Sequence, residues 1–112
     1  MNLHMLSKFQ ECWEKIEETG NAYAEAKGQS WQSQELKGSV LAKLIKGYPD
    51  LPVSKAEHEA KSSEEYQSFI KETAEAIKKE LKLKAQYEMW KSSFEALRSL
   101  SSLEKATQNH IG

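Results

Sequence analysis

The chain has 112 residues, of which 29% are charged and 38% are hydrophobic, and its formal net charge is −1. This length fits a single small domain, and the balanced charge excludes a protein that is basic overall. One cysteine, Cys12, excludes an internal disulfide and a cysteine-rich zinc site. We expect no signal peptide and no membrane anchor, and therefore a cytoplasmic protein that does not contact a membrane.

The first predicted element is a helical arm over residues 5–46. Its opening apolar residues are Leu6, Phe9, Trp13 and Ile16. Their 3–4–3 spacing places them on one face of a helix. Glycines follow at positions 20, 28 and 38, and each costs about 1 kcal/mol relative to alanine inside a helix. The arm is therefore predicted as one bent helix or as two helices separated between Gly20 and Ser33, with the bent helix slightly favoured.

A loop is predicted over residues 47–53. Gly47 suits the position just after the end of a helix, and Pro49 and Pro52 cannot continue one. This segment is the clearest connection in the chain.

Two capping patterns follow the loop. Ser54 precedes Glu57 by three residues, which is the spacing of a capping box and predicts a short helix over residues 54–61. Ser62 precedes Glu65 by the same spacing and predicts the start of a second helix.

The longest predicted helix covers residues 63–99, where neither glycine nor proline occurs. The residues predicted to share its broad apolar face are Tyr66, Ile70, Thr73, Ile77, Leu81, Tyr87, Trp90, Phe94 and Leu97. About 35 residues form a rod of roughly 50 Å, which is too long for a compact domain of this size. We predict that residues 104–112 form a flexible tail, because their apolar content is low.

These elements predict an all-α fold, a long helical hairpin with a short capping helix, in one domain over residues 1–103. A two-helix hairpin covers only part of each apolar face. Association into a helical bundle or coiled-coil homo-oligomer is therefore expected.

The candidate catalytic and metal-binding residues do not form a recognisable site. His4, His58 and His110 lack the spacing of a shared metal site, and adjacent residues on a helix point about 100° apart. Cys12 lies beside Glu11, whose charge disfavours a thiolate. We predict no enzyme activity, no cofactor and no metal.

Charge is distributed in local runs. The acidic run consists of Glu57, Glu59, Glu64 and Glu65, and the basic run of Lys78, Lys79, Lys82 and Lys84. Both runs are consistent with solvated helix faces, which is the more common role of such patterns. The functional interpretations are a protein-binding patch for the acidic run and phosphate binding for the basic run.

The tryptophans differ in their surroundings. Trp13 and Trp90 lie on apolar faces, which predicts a place in the core or in an oligomer interface. Trp31 has only polar neighbours, so it is predicted with equal weight as a partner-binding anchor or as a residue that fills a bend in the hairpin.

The second half of the chain resembles a group of small coil-containing phage and prophage proteins. The matching segments are Glu59-Ala-Lys-Ser-Ser-Glu-Glu-Tyr66, the spaced Ala74 and Ala76, Leu81-Lys-Leu-Lys84 and Leu97-Arg98-Ser99. The aromatic residues of the last element are displaced upstream here, to Trp90 and Phe94. The resemblance implies a non-enzymatic accessory protein, often encoded among recombination and single-strand-handling genes, and it transfers no catalytic residue.

Three functional hypotheses follow. The first is a phage-type helical protein that binds a partner protein handling nucleic acid, through the acidic run and Trp31. The second is direct binding of DNA or RNA through the basic run. The third is inhibition of a host defence complex such as a CRISPR effector, with the acidic run presenting charge that resembles phosphate.

Overall fold

A computed structural model describes residues 2–111 and the side chains through residue 109. It contains three helices, α1 (Leu3–Ile45), α2 (Val53–Ser62) and α3 (Glu64–Ile111), and residues 2–111 contain no strand. The prediction of an all-α fold, with a short helix between two long ones, is confirmed.

Helix α1 is continuous, so the favoured prediction of a single helical arm is confirmed and the alternative of two helices separated between Gly20 and Ser33 is wrong. No glycine among the described residues has a positive φ angle. Each of the three glycines inside α1 therefore keeps ordinary helical geometry, and helical hydrogen bonding and packing outweigh their low helix propensity.

Helix α3 does not end at Ser99 but continues to Ile111. Most of the segment predicted as a flexible tail, residues 104–111, is therefore helical. No glycine or proline interrupts the helix before Gly112, and the Thr107 hydroxyl donates a hydrogen bond to the Leu103 carbonyl at 2.9 Å. Low apolar content did not end the helix because nothing in its backbone blocks the next hydrogen bond.

The helix starts differ from the two predicted capping boxes. Helix α2 begins after Pro52, and no side chain caps it, so Ser54 is not its cap. Helix α3 is capped by Ser63 rather than Ser62. The Ser63 hydroxyl accepts the Tyr66 N–H at 3.2 Å and donates to the Ala60 carbonyl at 2.6 Å. One serine therefore both closes α2 and opens α3.

The fold divides into two compact units, whereas the sequence predicts one domain. Unit 1 comprises residues 1–24 and 81–112, and unit 2 comprises residues 25–80. In unit 1 the two helical segments run antiparallel, because Phe9 lies next to Phe94 while Tyr23 lies next to Tyr87.

The contact face of α3 in unit 1 follows a seven-residue repeat typical of coiled coils. Its half-buried members are Leu83, Tyr87, Trp90, Phe94, Leu97, Ser101 and Glu104. Leu81, which the sequence predicts on this face, is instead 56% exposed. Leu83 takes its place in the repeat. Contact positions alternate at intervals of three and four residues, and counting back from Tyr87 in this way reaches position 83 and not position 81.

Unit 2 has a core of small and polar residues. Ala26, Ala56 and Ala60 are buried, as are Ser30, Tyr66 and Thr73. Ala56 and Ala60 are one helical turn apart, so the buried side of α2 consists of methyl groups that permit close packing. Within the described residues, no helix combines the length and apolar content needed to cross a bilayer.

Candidate binding surface

An aromatic cluster in unit 1 consists of Phe9, Trp13 and Phe94. The Phe9 and Phe94 rings meet edge to face, with centroids 5.4 Å apart. The Trp13 ring is tilted against Phe94 at 6.5 Å, yet Trp13 remains 63% exposed. One side of Trp13 is thus supported by packing and the other faces solvent, which is the arrangement of an aromatic anchor.

A groove of about 800 Å³ lies beside this cluster. Its lining residues are Ile16, Glu88, Lys91, Ser92, Phe94 and Glu95. The Lys91 ammonium lies 4.5 Å from the centroid of the Tyr87 ring. The floor of the groove is therefore partly apolar, and its walls carry charges of both signs.

Arg98 is held in place near this groove by Glu95. One guanidinium nitrogen, Nη1, donates to both Glu95 carboxylate oxygens, at 3.2 and 3.3 Å. Both side chains are more than half exposed, so the pair contributes little to stability. Its main effect is to orient Arg98 while leaving the other guanidinium N–H groups available.

The sequence reasoning missed this surface. Trp13 is predicted only as a core or interface residue, and Lys91, Arg98 and Lys105 are not singled out. The signal that identifies Lys91, Arg98 and Lys105 is their common position in the seven-residue repeat of α3, which becomes visible once Leu83 rather than Leu81 defines the register.

The acidic run lies in unit 2, and three of its members have local structural roles. Glu57 pairs with Lys61 at 2.9 Å across one turn of α2. This hydrogen bond, reinforced by the carboxylate charge, raises the pKa of Lys61 above its ordinary value. Glu64 and Glu65 occupy the first turn of α3, where negative charge interacts favourably with the helix dipole. Glu59 is exposed.

The four lysines of the basic run are all exposed on α3. Lys78 and Lys79 belong to unit 2, whereas Lys82 and Lys84 belong to unit 1. Lys84 is about 160° from Lys82 around the helix, so the run does not form one face within unit 1.

The two remaining tryptophans have different environments. Trp31 is 65% exposed, which favours the predicted anchor over the predicted role of filling a bend. Beside it in the sequence, Ser30 is fully buried and its hydroxyl accepts a hydrogen bond from the Gln34 amide at 3.0 Å. Trp90 is half-buried on the contact face of α3, in agreement with its predicted place in the core.

Cys12 is buried at 5% exposure, as predicted for a residue that packs at a helix contact. Within the part of the chain whose side chains are described, no group of three His, Cys, Asp or Glu residues is arranged to hold a metal ion. The side chain of His110, which is predicted to bind no metal, lies outside the described side chains.

We compared the chain with protein-family models, with curated proteins and with solved structures. None of the three comparisons gives a match.

Proposed function

We propose that this chain is a non-enzymatic helical protein that binds a partner protein. The observation that supports this proposal best is the exposure of Trp13 while its ring is braced against Phe94. Tryptophan is enriched among the residues that dominate interface energetics, and a braced ring loses little conformational entropy on binding.

Trp31 provides a second, separate anchor in unit 2. It is as exposed as Trp13 and has no large apolar neighbour in the sequence. We assign the acidic run a secondary role, because Glu57 is paired and Glu64 and Glu65 stabilise a helix start. Of the acidic run, Glu59 is the residue best placed to contribute to binding.

The resemblance of the second half to phage accessory proteins favours a partner that handles nucleic acid, and a host defence complex is one such partner. Direct nucleic-acid binding through the basic run has weaker support, because Lys84 lies on a different face of α3 from Lys82 and the run contains no arginine.

A capture experiment tests this proposal. The tagged protein and the variants Trp13→Ala and Trp31→Ala are used to capture proteins from a bacterial lysate, with Leu81→Ala as a control for loss of an exposed apolar side chain. We expect one or both tryptophan variants to lose a defined captured protein that the control retains. Identical capture by all four proteins would contradict the proposal.

A further inference from the structure

Two exposed apolar residues of α1 occupy equivalent positions in its seven-residue repeat. Leu6 is 54% exposed and Trp13 is 63% exposed. They follow the inward-facing positions of Met5 and Cys12, so both lie on the same flank of the helix pair in unit 1. At these two positions the flank is therefore apolar.

The corresponding flank of α3 carries a cation at every seventh residue. We call this set the cationic row: Lys84, Lys91, Arg98 and Lys105. All four side chains are exposed. Successive members are about 10.5 Å apart along the helix axis. A run of four cations with this period is the pattern by which coiled-coil helices select partners.

Trp13 of the apolar pair and Lys91 of the cationic row lie at the groove, and the heptad positions place Leu6 and the other three cations on the same flank. Phe94 contacts Trp13 and lines the groove together with Lys91. In an antiparallel helix pair, the flanking positions of the same type lie side by side, which agrees with these contacts. Within the described residues, Lys84 and Lys105 have no ion-pair partner, so half of the row is free to pair with another molecule.

We propose that this groove binds an acidic amphipathic helix of a partner protein. The bound helix packs apolar side chains against Leu6 and Trp13 and presents one carboxylate per seven residues to the cationic row. This inference rests on the proposed function and specifies the chemistry of the partner. The complex is a three-helix arrangement in which unit 1 supplies two helices.

The mixed charge of the groove favours a helix over nucleic acid. Glu88 and Glu95 also line the groove and would repel phosphate. A helix accommodates them by placing a polar or basic residue opposite each one.

A second copy of this chain fits the groove less well. The bound helix needs carboxylates next to an apolar face that is not already packed against another helix. In unit 1 the main apolar faces of both helices are already packed against each other, as the Phe9–Phe94 and Tyr23–Tyr87 contacts show. An acidic helix from another protein has no such constraint.

The test uses a labelled synthetic peptide of about 21 residues, three heptads long, with leucine at the two core positions and glutamate at one flanking position of each heptad. A second peptide has lysine in place of glutamate. Binding to the full chain is measured by fluorescence anisotropy at low and high salt. We expect the glutamate peptide to bind, the lysine peptide not to bind, and the affinity to fall as salt increases.

The variants locate the site. Lys91→Glu combined with Arg98→Glu is expected to weaken binding of the glutamate peptide by about tenfold or more, and Trp13→Ala to weaken it as well. The matched control, Lys78→Glu combined with Lys82→Glu, makes the same change in charge away from the groove and is expected to bind normally. Circular dichroism verifies that each variant is folded, and Lys91→Gln with Arg98→Gln is a milder replacement if the reversal unfolds the chain.

Several outcomes would overturn the inference. These are equal binding of both peptides, no binding of the glutamate peptide, stronger binding of a single-stranded oligonucleotide at the same residues, or dissociation of a self-associated form by the groove variants alone. The capture experiment is independent of these outcomes. If capture requires Trp13 but the glutamate peptide does not bind, the proposed function stands and only the acidic helix is wrong.

Discussion

Gly20 of α1 lies directly against the ring of Tyr87 of α3: a Cβ atom at position 20 would be 3.0 Å from Tyr87 Cε1. The Tyr87 ring cannot easily move away, because two side chains pack against it. The centroid of the Tyr23 ring lies 6.1 Å from that of Tyr87, and the Lys91 ammonium lies 4.5 Å from the Tyr87 centroid. This glycine therefore serves close helix packing rather than chain flexibility.

We predict that Gly20→Ala does not stabilise the protein. The gain of about 1 kcal/mol in helix propensity is cancelled or exceeded by displacement of the Tyr87 ring. Thermal and urea unfolding followed by circular dichroism measure the change in the free energy of unfolding. A clear stabilisation would show that the ring adapts without cost.

The other two glycines of α1 provide the comparison. At Gly28 and Gly38, an added Cβ would have no neighbour within 4 Å. We predict that Gly28→Ala and Gly38→Ala each raise the free energy of unfolding by about 1 kcal/mol, because the helix is favoured and no contact is disturbed. The same unfolding experiments test this, and no gain at either site would count against a continuous helix α1.

The pKa of Lys61 should fall when Glu57 is replaced. In the folded chain, the Glu57 carboxylate raises the pKa of Lys61 above its ordinary value. The stability contributed by this pair is therefore present below the ordinary lysine pKa and is lost as the pH rises through the raised value. NMR titration of the lysine side chains should show a lower pKa for Lys61 in Glu57→Gln than in the original protein. An unchanged pKa would mean that the pair does not persist in solution.

Self-association remains a prediction. The structure points to exposed apolar side chains of α3, rather than to the face that is packed against α1, as the surface that would form the contact. Met89, Leu100 and Leu103 are all more than half exposed on α3 in unit 1.

We therefore expect sedimentation at micromolar concentration to show particles larger than one chain. Met89→Glu combined with Leu103→Glu should shift them toward monomers, whereas Leu81→Glu should not. Particles of a single chain in the original protein at all concentrations would contradict self-association.

The acidic run and Trp31 can be distinguished by their effects on partner capture. Glu59→Lys changes an exposed charge without breaking the Glu57–Lys61 pair or the start of α3. If electrostatics contribute, this variant should lower mainly the association rate, and the difference should shrink at high salt. If Trp31→Ala abolishes capture and Glu59→Lys does not affect it, the aromatic anchor alone explains binding in unit 2.

Much of this fold could be predicted from local sequence patterns. Pro49 and Pro52 mark the longer of the two connections between helices in residues 2–111, and the absence of glycine and proline between Ser63 and Ser99 predicts the long helix. These signals act through the backbone of a few neighbouring residues, so they operate in any tertiary context. The burial of Cys12 and the half-burial of Trp90 also follow from helical periodicity.

The remaining features depend on which helix packs against which. The choice of Leu83 over Leu81 is made by the register against α1, because two leucines two residues apart cannot both face one helix. The cost of Gly20 is offset by Tyr87, a residue far away in the sequence. The groove beside Trp13 depends on the antiparallel packing of α1 and α3 in unit 1, which brings the Trp13 ring against Phe94 next to Lys91. Sequence periodicity defines the faces of each helix, but the pairing of those faces is decided by the packing energy of the assembled helices.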